Sequence, residues 1–312
     1  MFPPLYRVRD FERTPGGRDA AKLADLARGT LDAALFADRE IYRTEVQQIF
    51  GSSWLFLGHE NQLQNPGDWV RTRMGTQSII VLRNTEGELR AFINTCRHAG
   101  YRLCPGDRGS LTRIQCELHG WTYDLDGKFV AMAGYGGAFQ SILNRDDWGL
   151  ISLAGLARYE GLLFGTFDTP AEPFEDFLAK ARPMLDLLAS RVAHVDLTSV
   201  VYKWNVHANW KFAADHLGPD DLLLLPNASF SRDSQILHVW HPINPTSTEV
   251  WAYVLAKDAT EQEKLDLIAR DEQLGYATKL AYGAVAKAKT IVSAQQRVFY
   301  KAWTARIVAS AP

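Results

Sequence analysis

Two short motifs near the middle of the chain each combine a cysteine with a histidine. The first is Cys96-x-His98, and the second, after seventeen intervening residues, is Cys116-x-x-His119. Each motif offers one thiolate and one imidazole, so two loops of this kind can hold a small metal centre between them. In a [2Fe–2S] cluster, two thiolates can bind one iron while two imidazoles bind the other, solvent-side iron. Exchanging thiolates for imidazoles raises the reduction potential and makes it respond to histidine ionisation.

Two other interpretations of these four residues stay open. Two cysteines and two histidines also form a zinc ligand set, although zinc sites usually pair like residues, whereas each motif here mixes them. The four could also be unrelated core residues, but their tight spacing beside glycines such as Gly100 and Gly120 argues against this. The third cysteine, Cys104, is interpreted as a small buried thiol. Trp121 is expected to shield the centre, to pack in the core, or both.

The motifs lie in a β-rich region bordered by helical patterns. Six short segments between Gly, Asn and Asp turns predict strands, and NTEGE predicts a hairpin loop; the segments are GDWVRTRM, QSIIVLRN, ELRAFIN, GKFVAM, WGLISL and GLLFGTFD. Helical spacing predicts helices at 19–33, 38–50 (capped by Asp38), 173–190, 260–274, 276–289 and 294–306, and a strand meander falls at 197–208 and 227–257. The fold class is therefore α+β: a small all-β domain at 40–155 inserted in a larger antiparallel-sheet-plus-helices domain formed by 1–39 and 156–312.

The sequence around the motifs resembles a known family. CRHAGYRLC, CELHGWTYDLDGKFV and WLFLGHENQLQNPGDWV resemble the Rieske domain in the large (α) subunit of bacterial aromatic-ring-hydroxylating oxygenases. FEDFLAKARPMLD, NWKFAAD, LLPNASFS and FYKAW follow in the family's order. The resemblance implies a Rieske [2Fe–2S] cluster held by Cys96, His98, Cys116 and His119. The Rieske subunit of cytochrome bc complexes resembles the chain less, because it has a membrane anchor and a disulfide at the positions of Tyr101 and Leu118.

The same resemblance implies a second metal, a mononuclear Fe(II) held by two histidines and a carboxylate. The segment Asn209–Lys211 matches the family's approach to that site, but Leu223 and Ala228 stand where the two histidines are expected. His216 is the candidate iron ligand that remains. Asp220 is the candidate for the carboxylate that bridges the two metal centres between subunits.

Two explanations of the missing histidines are open. Either the chain given lacks native segments around the iron site, or the protein has lost this iron; the early return of the family pattern at LLLLPNASFS favours the first. For the late carboxylate, Asp271 and Glu272 are weak substitutes. The remaining histidines are interpreted as structural or surface residues, with His238 and His241 on opposite faces of a predicted strand; they are His59, His194, His207, His238 and His241.

The resemblance implies a terminal oxygenase component of a multicomponent ring-hydroxylating dioxygenase. Electrons would come from NAD(P)H through a separate reductase, a ferredoxin or both, since the chain has no G-x-G-x-x-G nicotinamide motif. The other partners are O2, an aromatic substrate, a small β subunit and an α3 or α3β3 assembly. No arginine stands out as a carboxylate clamp, which favours an uncharged ring. The alternative functions are a Rieske electron-transfer or non-catalytic protein without the mononuclear iron, and a zinc-stapled binding module.

The composition of the chain limits its possible partners and its cellular location. The net charge is −2 with Lys and Arg spread along the chain, which argues against a nucleic-acid surface or an anionic membrane partner. The first residues contain no apolar core of a signal peptide, and no apolar run is long enough to span a bilayer. The three cysteines all lie in one short segment, which does not suit a disulfide framework. A cytoplasmic location is therefore expected.

Overall fold

The computed structural model describes residues 17–132, 144–168, 172–195, 197, 201–215, 221–256, 258–270, 288–290 and 294–309. Two compact units divide the chain, one within Leu57–Thr169 and the other within Phe11–Phe56 and Pro170–Pro312. The α+β fold class is confirmed, while the domain limits at 40 and 155 stay a prediction. No helix among the described residues is long and apolar enough to cross a membrane.

Most of the helices and strands are short, and their bounds are as follows. The helices are α1 Gly17–Lys22, α2 Arg39–Glu45, α3 Phe174–Val192, α4 261–270 and α5 Ala294–Ala309. The strands are β1 Ala24–Asp25, β2 Thr30–Asp32, β3 Leu55–His59, β4 Asp68–Met74, β5 Gln77–Arg83, β6 Leu89–Ile93, β7 Arg108–Ser110, β8 Ile114–Gln115, β9 Thr122–Tyr123, β10 Phe129–Ala131, β11 Gly155–Tyr159, β12 Leu162–Thr166, β13 Val201–Val206, β14 Leu222–Leu224, β15 Ala228–Ser231, β16 Ile236–Asn244, β17 Ser247–Val254 and β18 Ala288–Thr290.

The first unit is built on an antiparallel sheet with strand order β6-β5-β4-β7. Met74 pairs with Gln77, so β4 and β5 are joined by the two-residue loop 75–76, in which Gly75 has a φ of 55°. The predicted NTEGE hairpin between β5 and β6 is also present. There the side-chain oxygen of Asn84 accepts hydrogen bonds from the backbone N–H groups of Glu86 and Glu88.

A second small sheet, β10-β9-β8, carries the Cys116–His119 motif between β8 and β9, whereas the Cys96–His98 motif follows β6 of the larger sheet. One hydrophobic core joins it to the larger sheet. The buried members of that core are Trp69, Ile80, Leu82, Phe92, Cys96, Leu103, Cys104, Ile114, Cys116, Trp121, Tyr123, Leu125, Phe129 and Leu150. All three cysteines therefore project into a core that the strands enclose.

The second unit contains a five-stranded antiparallel sheet of order β13-β17-β16-β15-β14 and the small sheet β1-β2-β18. Helix α3 begins after Pro173, as the sequence predicts. Helix α2 begins at the predicted cap, where Asp38 Oδ1 accepts hydrogen bonds from the N–H groups of Glu40 and Ile41. The helix then continues as one wide π-helical turn over Val46–Phe50.

Two predictions of secondary structure in the first half of the chain were wrong. The helix predicted at 19–33 ends at Lys22, because Asp25 Oδ1 accepts a hydrogen bond from the N–H of Arg28 and Gly29 adopts a positive φ of 71°. These two features reverse the chain and pair β1 with β2. The strand predicted at WGLISL is absent as well: Arg145–Trp148 is a 3-10 helix, and Ser152 makes only an isolated bridge.

The predicted C-terminal helices have mixed outcomes. The helix predicted at 260–274 is present over 261–270, and the one predicted at 294–306 extends over Ala294–Ala309. Most of the helix predicted at 276–289 lies outside the described residues. Its last two positions belong to β18, so that part of the prediction was wrong.

Candidate metal centre

The two cysteine–histidine motifs form loops with matching backbone hydrogen bonds. In the first loop the N–H of Cys96 donates to the carbonyl of Tyr101 at 2.7 Å. In the second, the N–H of Cys116 donates to the carbonyl of Trp121, also at 2.7 Å. Each loop is thus closed by a bond between its cysteine and the fifth residue after it.

A glycine four residues after each cysteine completes the pattern. The N–H of Gly100 donates to the Cys96 carbonyl at 3.0 Å, and that of Gly120 donates to the Cys116 carbonyl at 2.9 Å. Their φ angles are 73° and 69°, in the left-handed region that other residues rarely adopt. A Cβ built at either position would meet no atom within 4 Å, so steric crowding is not the reason for glycine. The loops require glycine because of these backbone angles.

The two thiols lie on the buried side of this site. Cys96 is 2% exposed and Cys116 is 1% exposed. Burial raises the pKa of the Cys96 thiol, and a hydrogen bond with the Cys116 thiol adds to the rise. The neutral form of the Cys96 thiol is thus favoured, but a bound cation reverses that preference because a coordinating thiol loses its proton.

The two imidazoles lie on the exposed side. Nδ1 of His98 and Nδ1 of His119 face each other at 3.1 Å, with the rings nearly perpendicular at 78°. Since an imidazole nitrogen binds a metal such as zinc at about 2.0–2.1 Å, both nitrogens can reach one ion. Desolvation lowers the pKa of His98, and the charge on His119 lowers it further. The neutral ring that results is the form that binds metals.

The arrangement of the donors favours a two-iron cluster over a single zinc ion. Zinc in a structural site needs four donors around one point. Within the described residues, no group of three or more His, Cys, Asp or Glu side chains could share one ion. Instead the donors form a buried thiol pair and an exposed imidazole pair, which is the division that a cluster with two different irons requires. The residues present fit a [2Fe–2S] group.

Tyr123 is a site residue that the sequence reasoning missed. Its hydroxyl lies 3.3 Å from Cys96 Sγ, and its oxygen accepts a hydrogen bond from the backbone N–H of Arg97 at 3.1 Å. Either group can donate in the contact with a neutral thiol, but a thiolate that binds a metal can only accept, so the hydroxyl is then the donor. Burial, followed by the contact with Cys96, raises the pKa of Tyr123, so the hydroxyl stays a donor. The spacing was an available signal, because Tyr123 is two residues after Trp121 and alternate residues of an extended segment lie on the same face.

Trp121 contacts the site through its ring. The indole stacks on the imidazole of His98 with centroids 5.0 Å apart and planes 9° from parallel. It also packs against Phe129 at 4.8 Å and against Trp148 at 5.4 Å. Trp121 is therefore both a core residue and a neighbour of one candidate ligand.

Cys104 has a different environment from the other two cysteines. Its backbone N–H donates to Asn94 Oδ1 at 2.8 Å, and Asn94 Nδ2 donates to its carbonyl at 2.7 Å. The thiol is 3% exposed, and burial raises its pKa to about 12. These features are those of a small buried thiol that packs in the core.

The candidates for the second metal site are not placed. His216, Asp220, Asp271 and Glu272 lie outside the described residues. The described residues offer no three-donor group for an iron ion. The adjoining Trp210–Asp215 forms a 3-10 helix.

The strand histidines have aromatic neighbours. His238 stacks on Trp240 with centroids 5.2 Å apart, and His241 meets Trp251 edge-on at 4.6 Å. Both histidines are buried in β16. They are three residues apart on a strand, so they project from opposite faces and cannot serve one metal together.

Comparisons with known proteins agree with this site. The family model for the Rieske [2Fe-2S] domain matches residues 53–137. The chain is 36% identical over 203 residues to the biphenyl 2,3-dioxygenase subunit alpha of Rhodococcus jostii (strain RHA1), a match that covers 65% of this chain and 44% of that protein. The chain thus spans less than half the length of this relative.

Solved structures show that the fold is shared more widely. Naphthalene 1,2-dioxygenase from Rhodococcus sp. bound to indole superimposes with a TM-score of 0.76 at 22% identity, covering 98% of this chain and 100% of that chain. A quaternary ammonium Rieske monooxygenase in complex with L-carnitine gives a TM-score of 0.71 at 19% identity, covering 90% and 97%. At these identities the likeness shows the fold alone.

Proposed function

We propose that this chain, a relative of the large subunits of Rieske ring-hydroxylating oxygenases, belongs to the terminal oxygenase component of a multicomponent aromatic dioxygenase. The observation that carries the proposal is the pairing of two buried thiols with two exposed imidazoles in one Rieske domain. The sequence relationship to a biphenyl dioxygenase subunit supports an aromatic substrate. The absence of a visible carboxylate clamp in the sequence favours an uncharged ring.

The proposed ligands of the cluster are Cys96, His98, Cys116 and His119. A bound [2Fe–2S] cluster takes up and releases one electron at a time. The chain's own contribution is to exclude water from the thiol side and to expose the imidazole side. A partner that delivers or accepts electrons can approach the imidazole edge closely, while the core protects the sulfur atoms.

The proposed function also includes a mononuclear Fe(II), on the strength of the relatives alone. His216 remains the proposed iron ligand and Asp220 the proposed bridge between centres. The same relationship supports a ferredoxin and/or reductase as electron donor, a small β subunit, and an α3 or α3β3 assembly. We also propose a cytoplasmic location, because none of the three cysteines is in a disulfide and a reducing compartment suits such cysteines.

The ratio of iron to acid-labile sulfide in the purified full chain tests this proposal. A Rieske cluster alone gives about two iron per two sulfide, and an added mononuclear site raises the ratio to about three per two. The proposal expects three to two after loading with Fe(II) under anaerobic conditions. Two to two would leave an electron carrier and exclude the oxygenase function for this chain, and colourless protein with zinc would exclude the cluster.

A further inference from the structure

We propose that Trp121 is a positioning residue that fixes the imidazole of His98 in its iron-binding orientation. The inference rests on the [2Fe–2S] centre of the proposed function and deepens it. It assigns a role to a residue outside the ligand set. It also predicts that the two histidine ligands are not equivalent.

The two loops differ at one structurally matched position. Tyr101 and Trp121 occupy the same place, since each accepts through its carbonyl the hydrogen bond from its loop's cysteine. Tyr101 is 42% exposed, whereas Trp121 is 4% exposed. The side chain that ends the second loop turns inward and reaches the histidine of the first loop. The two loops therefore have the same backbone hydrogen bonds, but only the second loop supplies a ring that stacks on a histidine.

The contact geometry is that of a rigid support. An interplanar angle of 9° at a centroid distance of 5.0 Å places the indole face against the imidazole face. Phe129 and Trp148 contact the same indole, and it belongs to the core that encloses the cysteines. Packing on its other sides keeps the indole from rotating away. Among the residues that the structure describes, no other ring stacks face to face on the exposed imidazole of His98.

Trp121 makes a ring contact with only one of the two histidine ligands, His98. Among the described residues, the only ring contact of His119 is the perpendicular one with His98. When the orientation of His98 is fixed, its ring also restricts the orientation of His119, which packs against it. A ligand held in one rotamer costs less conformational entropy when the metal binds, and its orientation determines its electronic contribution to the iron. Trp121 also keeps water from one face of His98, which matters because solvent exposure helps set the potential of such clusters.

The test compares two replacements of similar volume, one with a ring and one without. Trp121→Phe retains an aromatic face, and Trp121→Met does not. Trp69→Met is the matched control, because Trp69 is a buried indole of the same core. Each variant of the full chain is purified, and iron, acid-labile sulfide, the EPR spectrum of the reduced cluster and its reduction potential at one fixed pH are measured.

The expected result is that Trp121→Met broadens the EPR spectrum and shifts the potential upward. The upward shift is expected because water reaching His98 stabilises the more charged, reduced form. Trp121→Phe and the Trp69→Met control should stay close to the unmodified protein. Loss of the cluster in Trp121→Met, with retention in the other two variants, would also support a positioning role because an aromatic replacement rescues it.

Three results would overturn the inference. The first is an unchanged spectrum and potential in Trp121→Met with a full iron and sulfide content. The second is an equal change in Trp69→Met, and the third is loss of the cluster in all three variants; both would indicate a general effect on the core. A different failure, the absence of a [2Fe–2S] signal from the unmodified protein, would reject the proposed function.

Discussion

The ammonium of Lys211 lies 2.5 Å from Oε1 of Glu45, and both side chains are 0% exposed. The carboxylate also accepts hydrogen bonds from the indole N–H groups of Trp210 and Trp303, each at 2.8 Å. Lys211 donates in addition to Asn209 Oδ1 at 2.7 Å. One carboxylate in helix α2 thus joins the 3-10 helix 210–215 to helix α5. Desolvation lowers the pKa of Lys211, and the charge of Glu45 opposes that change.

Removing one partner of this buried pair should be costly. Lys211→Met leaves the carboxylate of Glu45 without its cation, and such a change typically destabilises a protein by about 3–5 kcal/mol. The midpoint of urea unfolding, followed by tryptophan fluorescence, measures the loss. The double variant Glu45→Gln with Lys211→Met should recover part of it, since no unpaired charge remains.

The control for the buried pair is an exposed pair on the same helix. Arg43 and Glu40 lie 2.6 Å apart, with side chains 65% and 62% exposed. Exposed pairs contribute about 0–1 kcal/mol, so Arg43→Met should barely move the unfolding midpoint. An equal shift in Lys211→Met and Arg43→Met would show that burial of the ion pair does not matter.

Replacing Tyr123 by Phe should lower the reduction potential of the cluster. Once Cys96 binds the cluster as a thiolate, the Tyr123 hydroxyl donates to its Sγ and favours the more negative, reduced state, and the substitution removes this hydrogen bond. A differential interaction of about 1.4 kcal/mol corresponds to about 59 mV for a one-electron couple, so a change of tens of millivolts is expected. Potentiometric titration followed by EPR measures it. Tyr101→Phe is the control, because the Tyr101 side chain is exposed, and a comparable change there would refute the assignment.

Serine replacements of the cysteines should separate ligands from a packing residue. Cys96→Ser should abolish the cluster absorbance and lower the iron content, whereas Cys104→Ser should retain both. The reason is that Cys104 is held through its backbone by Asn94, which the substitution leaves intact. Visible absorbance and iron analysis of the purified variants decide the matter. Bleaching of Cys104→Ser would show that the ligand assignment is wrong.

The Cys104 thiol should resist alkylation until the protein unfolds. Its pKa of about 12 leaves it protonated at pH 8, and it is buried. Because the folded state holds this proton more tightly than the unfolded state, the thiol's contribution to stability is present below pH about 8.5 and is lost as pH rises towards 12. Mass spectrometry after iodoacetamide treatment should show Cys104 unmodified at pH 8 in native protein and modified in denaturant. Rapid labelling of the native protein would contradict the burial.

Local signals in the sequence predicted much of the first unit. The hairpins around β4, β5 and β6 follow from turn residues next to β-rich segments, and the two metal motifs are contiguous enough to be recognised by spacing. The reversal at Asp25–Gly29 was missed because helical periodicity does not register a side-chain bond to the backbone. The contacts of Tyr123 with Cys96 and of Lys211 with Glu45 join residues 27 and 166 positions apart. No local pattern specifies such contacts, because they arise only when the chain has packed.

The matching hydrogen bonds of the two loops have a consequence for how the site tolerates change. Each loop is closed by its own backbone, through the cysteine N–H and the glycine N–H, without help from the other loop. The number of residues between the motifs, seventeen in this chain, therefore does not determine the backbone conformation of either ligand loop. A change of length in the exposed stretch 112–113, between β7 and β8, would leave both loops intact, whereas a single insertion inside either loop would break one.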